Sequence, residues 1–196
     1  DAAELDNKIF KLIKSEPRLM PHFHFSLQSL DDMILKRMKR RHTREMAIEF
    51  CKKVLSIRKD ATFGADIIAG FPTETEDMFL DSMSLIDECQ LTHLHVFPYS
   101  PRDKTPASRM PQVDKNTIKE RAKRLRKKGF EKLEENLKNK IGKKELILIE
   151  NNKDNISFGK DQHFIKVKIK KNIKEGIIIS CIFTGIEGDT LLANIT

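Results

Sequence analysis

Cysteines are scarce in this 196-residue sequence, and their spacing excludes the common cysteine-based sites. Cys51, Cys89 and Cys181 lie far apart, so neither a C-x-x-C nor a C-x-x-x-C-x-x-C motif occurs. An odd, dispersed set in a lysine-rich chain predicts free thiols and a reducing compartment, the cytoplasm. We expect each cysteine to be a small buried apolar residue.

Long apolar segments are also missing. No apolar run approaches the roughly 18 residues of a membrane span, and residues 1–6 lack the basic start of a secretory signal peptide. The sequence therefore predicts neither a membrane protein nor a secreted one. It also has no initiator methionine, so we expect the chain either to begin inside a longer protein or to be processed.

Motifs for several common chemistries are absent, and the histidines do not replace them. There is no glycine-rich phosphate loop, no nucleophile elbow and no H-E-x-x-H. His22 and His24 alternate on one predicted strand, and His93 and His95 on another, which would allow a four-histidine zinc site. The two strands need not be neighbours, and no Cys, Asp or Glu lies near them in sequence at ligand spacing. No metal site is therefore predicted.

Positive charge is in excess. The chain holds 37 Lys and Arg against 29 Asp and Glu, for a net charge of +8 and a pI near 9.3. A polyanionic partner is one interpretation, and a generally lysine-rich proteome is the other. Cations concentrate in Lys36–Arg44 and Lys115–Lys128. In the second run Lys123, Arg124 and Lys127 are candidate RNA contacts, unless they form only the solvated side of a helix.

The first 140 residues alternate between helical and strand patterns, which predicts parallel crossovers in an α/β fold. Three strand–helix units do not close a barrel, so the sheet is either small and open or half of something larger. Thr73 followed by Glu76 fits a capping box, so Thr73 is the predicted N-cap. The predicted strands are His22–Gln28, Thr62–Gly70 and His93–Phe97, and the predicted helices are Glu4–Lys14, Asp32–Lys39, Arg44–Arg58, Thr75–Glu88 and Asp114–Lys140.

The pattern changes near Gly142. Short segments rich in Ile, Val and Phe, separated by turn signals, predict a small antiparallel β-barrel similar in size to an OB-fold. The predicted strands are Glu145–Glu150, Asn155–Phe158, His163–Ile169, Ile177–Phe183 and Thr190–Ile195. We therefore expect one domain over residues 1–128, a connecting helix over 129–141 and a barrel domain over 142–196.

Two loops follow predicted strands at the edge where parallel sheets bind ligands. Asp66–Thr75 runs from a buried strand through Gly70, which would allow a ligand to approach the backbone. Val96–Pro106 is stiffened by prolines and carries Tyr99, the only tyrosine of the chain, and Arg102. The alternatives are an ordinary strand-to-helix turn for the first loop and a proline-rich surface connection for the second.

Taken in order, the segments of this chain resemble the radical-SAM methylthiotransferases, over essentially its whole length. Leu94–Arg102 is most similar to the branch that acts on threonylcarbamoyladenosine in tRNA, and the last 55 residues resemble the TRAM domain of these enzymes. The matching segments are His22–Ser29, Ile34–Arg40, Thr43, Asp66–Pro72, Glu74–Glu76, Leu94–Arg102 and Thr105–Ala107.

The resemblance implies the C-terminal half of a partial (βα)6 radical-SAM barrel followed by TRAM. It implies S-adenosyl-L-methionine (SAM) and [4Fe–4S] clusters as cofactors, with the cluster ligands outside this chain. It also implies tRNA, at the anticodon region, as partner. The family reaction would add a methylthio group at C2 of the modified adenosine. This chain alone would be inactive unless a preceding segment or a separate N-terminal chain supplied the clusters.

Residue roles also follow from the resemblance. Gln28 and Ser29 would line the SAM site, and Arg40 would meet the methionyl carboxylate or a polar group of the substrate. Ile68 and Gly70 would pack against adenine, which Val96 and Phe97 would border from the next strand. Tyr99 and Arg102 would face the substrate.

The sequence departs from the family pattern at a few positions. The family motif Q-S-G-S is replaced by Gln28-Ser29-Leu30-Asp31, and the family motif G-E-T by Thr73-Glu74-Thr75. His42 stands where the family has a tyrosine. Loss of two glycines predicts that side chains intrude at the ligand face. The alternatives to a catalytic role are a non-catalytic RNA-binding module and an inactive remnant of a split gene.

Overall fold

The computed structural model describes residues 7–196, which divide into two compact units. The first unit comprises residues 7–19 and Phe23–Lys132, and the second comprises Met20–His22 and Leu133–Thr196. Over the described range, no helix is both long enough and apolar enough to cross a membrane.

Helices and strands alternate up to Lys138, as the apolar periodicity predicts, with small shifts at the ends of the elements. The start of the first predicted helix, Glu4–Asp6, lies outside the described residues. The elements are α1 (Asn7–Ser15), β1 (His22–Gln28), α2 (Asp32–Arg37), α3 (Arg44–Ile57), β2 (Thr62–Ala69), α4 (Glu76–Glu88), β3 (Leu91–Pro98) and α5 (Lys115–Lys138).

The three strands form one sheet in the order β1–β2–β3, with β2 parallel to β3. Side chains alternate between the faces of a strand, and along β2 Phe63, Ala65 and Ile67 are buried in the core of the unit. Asp66 and Ile68 lie on the opposite face and are only partly covered. The sheet therefore has one apolar face and one open, more polar face.

Short polar side chains cap the helices after β1 and β2. Thr75 is the N-cap of α4, and its hydroxyl accepts a hydrogen bond from the Met78 N–H at 3.3 Å. The prediction of Thr73 as N-cap is wrong, because Thr73 has a left-handed backbone with φ +67°. An N-cap residue normally has an extended backbone, as Thr75 does.

The second unit contains a closed five-stranded barrel, which confirms the predicted barrel. Its strands follow the order β4–β5–β6–β8–β7, and β7 pairs back onto β4. One predicted feature is wrong, because β6 and β8 are parallel and the barrel is not entirely antiparallel. The strands are β4 (Lys144–Lys153), β5 (Ile156–Lys160), β6 (Lys166–Ile169), β7 (Ile178–Glu187) and β8 (Thr190–Ile195).

A charged cluster is buried beside the apolar core of the barrel. The Lys140 ammonium lies 2.8 Å from the Asp161 carboxylate and 2.8 Å from Nδ1 of His163. The Asp161 carboxylate also accepts the backbone N–H groups of His163 and Ile165. Burial alone would raise the pKa of Asp161, but the His163 side chain, the charge and hydrogen bond of Lys140 and the Ile165 N–H together lower it to about 2.

Candidate functional site

A cleft opens where β1, β2 and β3 end, on the open face of the sheet. Its volume is about 640 Å³. A smaller cavity of about 330 Å³ shares Gln28 and Ile68 with the cleft and is also lined by Arg40 and Phe71. The residues that line the main cleft include Gln28, Ile68, Phe97, Tyr99, Arg102 and Thr105.

The chain turns sharply as it leaves β1 and β2. Gln28 has φ +66°, Gly70 φ +74° and Thr73 φ +67°. After β3 the Tyr99 N–H donates to the Ala69 carbonyl at 2.8 Å, which holds the loop after β3 against the end of β2. These turns place the residues that follow each strand around one opening.

A buried ion pair fixes the loop after β2. The Glu74 carboxylate accepts the Gly70 N–H at 3.0 Å and lies 2.9 Å from the Arg121 guanidinium, which also donates to the Glu74 carbonyl. Burial raises the pKa of Glu74, although the charge and hydrogen bonds of Arg121 oppose the rise. Sequence reasoning missed Arg121. The available signal was its position beside Ala122 on the apolar side of α5, since a cation there requires a buried partner.

Tyr99 lines the cleft and carries a buried hydroxyl without a partner among the described residues. Its ring packs edge-on against Phe71 with 5.4 Å between ring centroids. The hydroxyl oxygen is buried, and no described residue forms a hydrogen bond with it. Burial raises the pKa of this phenol. A buried hydroxyl usually has a partner, so Tyr99 is an exception among the described residues.

The structure brings together only part of the predicted site. Gln28, Arg40, Ile68, Phe97, Tyr99 and Arg102 line the two connected cavities. Ser29 is buried, with its hydroxyl 3.4 Å from the Asp31 N–H, and the Val96 side chain belongs to the core behind the sheet. The binding roles of all these residues stay predictions, but Ser29 and Val96 lie in the packing around the cleft.

Gly70 has a different reason to be glycine from the predicted one. A Cβ atom at this position would lie 2.5 Å from Cγ1 of Ile118 on α5. Together with the left-handed φ, this contact requires glycine for packing against the helix. This packing role explains the glycine, and the approach of a ligand to the Gly70 backbone stays a prediction.

The departures from the family pattern are accommodated away from the cleft. Leu30 is 1% exposed and belongs to the core, so the expected intrusion at the ligand face is wrong for this residue. Thr73 lines neither cavity. His42 is buried, and its Nε2 lies 3.1 Å from the Leu27 carbonyl; burial lowers the pKa of its imidazole.

The cations of α5 are not equivalent. Arg124 forms an ion pair with Glu76 at 2.6 Å and lies over the Phe79 ring, so it holds α5 against α4. Lys123 is exposed, and Lys127 is 79% exposed with only a 3.9 Å contact to Glu131. Of the three predicted RNA contacts, Lys123 and Lys127 remain accessible.

A cluster that the sequence did not predict lies on the same face as the cleft. His24 Nε2 and His95 Nδ1 both contact Oδ1 of Asp66, at 2.9 Å and 3.1 Å. Partial burial opposes ionisation of Asp66, but hydrogen bonds and charge from His24 and His95 outweigh it and lower the pKa of the carboxyl. No acid lies near these histidines along the sequence, but the sheet brings the remote Asp66 between His24 and His95.

Comparison with known proteins places the chain in a family. The sequence profile of the radical SAM superfamily matches residues 2–86. A threonylcarbamoyladenosine tRNA methylthiotransferase MtaB from Rickettsia prowazekii is 54% identical over 95% of this chain. A tRNA-2-methylthio-N(6)-dimethylallyladenosine synthase from Oceanobacillus iheyensis is 34% identical over 75% of it. The radical SAM enzyme coproporphyrinogen III oxidase (HemN) from Escherichia coli has a similar fold, with TM-score 0.54 and 13% identity over 83% of this chain.

The chain is shorter than these proteins. It spans 44% of the Rickettsia protein, 28% of the Oceanobacillus protein and 45% of the HemN chain. Within that span, the identity to the Rickettsia protein runs through both units described above. The chain belongs to the radical-SAM methylthiotransferase family, on its MtaB-like branch.

Proposed function

We propose that this chain is the C-terminal part of a tRNA methylthiotransferase that adds a methylthio group at C2 of N6-threonylcarbamoyladenosine beside the anticodon. The observation that carries this proposal is the 54% identity to the Rickettsia MtaB over 95% of the chain. The cleft supports it, because the family-motif residues Gln28, Ile68, Phe97 and Tyr99 meet there.

The cleft fits SAM and its substrate. The buried, unpartnered hydroxyl of Tyr99 offers a hydrogen bond to a ligand, and the half-exposed Phe97 ring offers an apolar surface to a base. Arg40 in the adjoining cavity provides a guanidinium that suits a carboxylate. When bound, SAM supplies the methyl group and the reactive fragment of radical-SAM chemistry.

The [4Fe–4S] clusters of the family do not fit the residues of this chain. The three cysteines are buried and free, and Cys181 belongs to the barrel unit while Cys51 and Cys89 belong to the first unit. Cluster binding in this family requires several thiolates that converge on one site. We therefore assign the clusters to a preceding segment or a separate chain, and we expect this chain alone to be inactive.

In this proposal the described residues of the cleft would position the ligands. Gln28 and Ile68 line both cavities, and positive charge is carried by Arg40 in the smaller cavity and by Arg102 in the main cleft. Arg102 is exposed and would meet the substrate side, including the phosphates near the target base. The Glu74–Arg121 pair holds the loop after β2 at the edge of the sheet.

The proposal also assigns the two units. Residues 1–128 would supply the last three strands of a partial (βα)6 barrel, residues 129–141 a connecting helix, and residues 142–196 a TRAM domain. The open polar face of the three-stranded sheet suits the interior of a barrel, and the five-stranded closed barrel suits an OB-like nucleic-acid module. Lys123 and Lys127 would contact tRNA phosphates.

Reconstitution tests the activity. This chain is co-expressed with a cluster-bearing N-terminal segment, either its own upstream coding sequence or that of the Rickettsia relative, in a bacterium that lacks the modification. Mass spectrometry of tRNA nucleosides should then show 2-methylthio-N6-threonylcarbamoyladenosine. Arg40→Met should reduce the yield, and Lys59→Ala, at an exposed position outside the cleft, should leave it unchanged. A folded, cluster-loaded assembly that makes no methylthio nucleoside would overturn the proposal.

A non-catalytic RNA-binding module is the second candidate, favoured by the exposure of Lys123 and Lys127. It predicts tRNA binding by the chain alone that weakens steeply with salt, because counterions are released from phosphates. Filter binding at several salt concentrations measures this. The double variant Lys123→Ala/Lys127→Ala should flatten the slope of log K against log salt by roughly 1 to 2. Binding without methylthio product in the reconstituted system favours this candidate over the enzyme.

A further inference from the structure

Side chains with metal-ligating atoms converge on the open face of the sheet, one from each strand. His24 of β1, Asp66 of β2 and His95 of β3 place their ligand atoms within 4.8 Å of one another. We propose that these three residues bind one divalent transition-metal ion, and that Zn²⁺ suits this ligand set best. None of the three residues is among the proposed SAM contacts, although Asp66 lines the same cleft, and the test does not depend on the proposed activity.

The ligand chemistry matches known three-ligand sites. Two imidazole nitrogens and one carboxylate oxygen form open zinc sites and also non-haem iron sites. Around a tetrahedral zinc ion with bonds of about 2.0–2.1 Å, neighbouring ligand atoms are about 3.3 Å apart. The nitrogen–oxygen distances here are 2.9 Å and 3.1 Å. Metal binding therefore requires each of these two nitrogen–oxygen distances to change by only a few tenths of an ångström.

The sheet holds the ligands in register. Asp66 and His95 are partners in the parallel pairing of β2 with β3, and the alternation of side chains directs both to the open face. β1 lies on the other side of β2 and carries His24. Ligands on three neighbouring strands are positioned more accurately than ligands on loops.

A glycine makes room for one of the imidazoles. A Cβ atom at Gly64 would lie 2.5 Å from Nδ1 of His24. The φ angle of Gly64 is not in the left-handed region, so backbone strain does not explain this glycine. The lack of a side chain instead allows the His24 ring to lie over β2 and reach Asp66, two residues further along the strand.

The electrostatic surroundings favour a cation. Within residues 7–196, the ion pairs of Asp66 are with His24 and His95, and neither Lys nor Arg pairs with it. The Asp66 carboxylate supplies the negative charge that a metal ion requires. The Ser26 hydroxyl donates to Asp66 Oδ2 at 3.4 Å, so the second carboxylate oxygen is oriented.

The proposed ion would have an accessible coordination position. The side chain of His95 is 64% exposed, and that of His24 is 30% exposed. Asp66 also lines the main cleft. Three protein ligands leave the fourth tetrahedral position for water or for an anionic oxygen of a molecule in the cleft.

Metal titration of the chain tests the proposal. Chelator-treated protein is titrated with Zn²⁺ in competition with a chromophoric chelator, and separately with Co²⁺ while visible absorption is recorded. We expect about one Zn²⁺ per chain and the d–d bands of nitrogen- and oxygen-ligated Co²⁺, without a thiolate charge-transfer band from the cysteines. Asp66→Asn, His24→Ala and His95→Ala should each weaken binding at least about tenfold.

His93→Ala is the matched control, because His93 lies on the same strand as His95 but outside the cluster. Gly64→Ala should weaken binding although it removes no ligand, since the new methyl group displaces the His24 ring. Circular dichroism checks that each variant folds, and His95→Ala carries the test if Asp66→Asn does not fold. Absence of stoichiometric binding would overturn the proposal, as would equal loss of affinity in His93→Ala and His95→Ala.

Discussion

At the scale of single residues, Thr73 is held in a conformation that suits glycine. Its φ of +67° is left-handed, and a β-branched side chain makes this conformation costly. Thr73→Gly should therefore raise the free energy of unfolding by about 1 kcal/mol, although the greater freedom of glycine in the unfolded chain offsets part of the gain. Urea denaturation measures the change.

Thr73→Ala and Thr75→Ala are the controls for this prediction. Thr73→Ala keeps a Cβ atom, so it should show less of the gain. Thr75→Ala removes the N-cap hydroxyl of α4 and should cost about 1 kcal/mol. A destabilising Thr73→Gly would mean that contacts of the threonine side chain outweigh its backbone strain.

The unpaired hydroxyl of Tyr99 gives a second prediction for a single residue. Tyr99→Phe removes a buried polar group that has no partner among the described residues. The free energy of unfolding of the free chain should stay the same or rise by up to about 1 kcal/mol. SAM or substrate affinity of the reconstituted protein should fall, as equilibrium binding would show. Clear destabilisation of the free chain would indicate a protein partner for the hydroxyl.

The resemblance, and not the pattern of any single strand, gave the cleft residues that could be predicted. Ile68 and Phe97 are examples, and both line the cleft. Asp66 lies between two histidines that are remote in sequence, and no local pattern shows that β2 is the middle strand. Packing also decided the position of Leu30, whose side chain enters the core and not the ligand face.

At the scale of secondary-structure elements, Arg121 joins α5 to the loop after β2. Its side chain is 5% exposed and pairs with the 3% exposed carboxylate of Glu74. Arg121→Met leaves that carboxylate buried without its cation, so the free energy of unfolding should fall by about 3–5 kcal/mol. Guanidinium denaturation at neutral pH measures it.

The double variant Arg121→Met/Glu74→Gln separates the effect of the lost ion pair on stability from the effect of lost packing contacts. It should recover part of the stability, because no charge is left buried. Arg124→Ala is the matched control on the same helix. Its side chain is 36% exposed and its pairing with Glu76 is screened by solvent, so it should cost no more than about 1 kcal/mol. Equal effects of the two arginines would refute the special role of Arg121.

The periodicity of the sequence predicted the type of each secondary-structure element, but it did not predict every end. β1 was predicted at its observed bounds, His22–Gln28, because alternating residues and Pro21 define it. β7 extends to Glu187 beyond the predicted Phe183, past a register shift between Phe183 and Gly185. An irregularity of this kind depends on the partner strand β8, which a single-strand pattern does not describe.

At the scale of the whole molecule, the two units should differ in their resistance to acid. Folding lowers the pKa of Asp161 from 3.8 to about 2. A carboxyl with a depressed pKa stabilises the fold above its ordinary value, and this contribution is lost as pH falls towards the folded value. The barrel should therefore lose on the order of 2 kcal/mol between about pH 4 and pH 2.

The buried cysteines report on each unit separately. Thiol labelling with dithiodipyridine along an acid series, read by peptide mass spectrometry, should modify Cys181 of the barrel before Cys51 and Cys89 of the first unit. Glu76 and Asp87 of the first unit are also shifted down, but their side chains are 49% and 47% exposed and screened by solvent. In the Asp161→Asn variant, the labelling of Cys181 should depend less on pH. Labelling of all three cysteines in one transition would contradict the prediction.

The existence of two cores was predictable from the change of pattern near Gly142. The closure of the barrel was not predictable from this pattern, because it depends on which strands pair with each other. The sequence favoured antiparallel neighbours throughout, since short turn signals separate the strands. β7 follows β6 in the sequence but does not pair with it. β8 takes the place next to β6 and runs parallel to it, while β7 lies on the other side of β8.

The position of β8 has a consequence for synthesis on the ribosome. β8 pairs with β6 on one side and β7 on the other, so Thr190–Ile195 complete two seams of the barrel at once. Until this segment leaves the exit tunnel, the nascent barrel has two unpaired strand edges with apolar residues beside them. A premature stop codon before Thr190 would make that exposed intermediate permanent, and its product would be a target for chaperones and proteases.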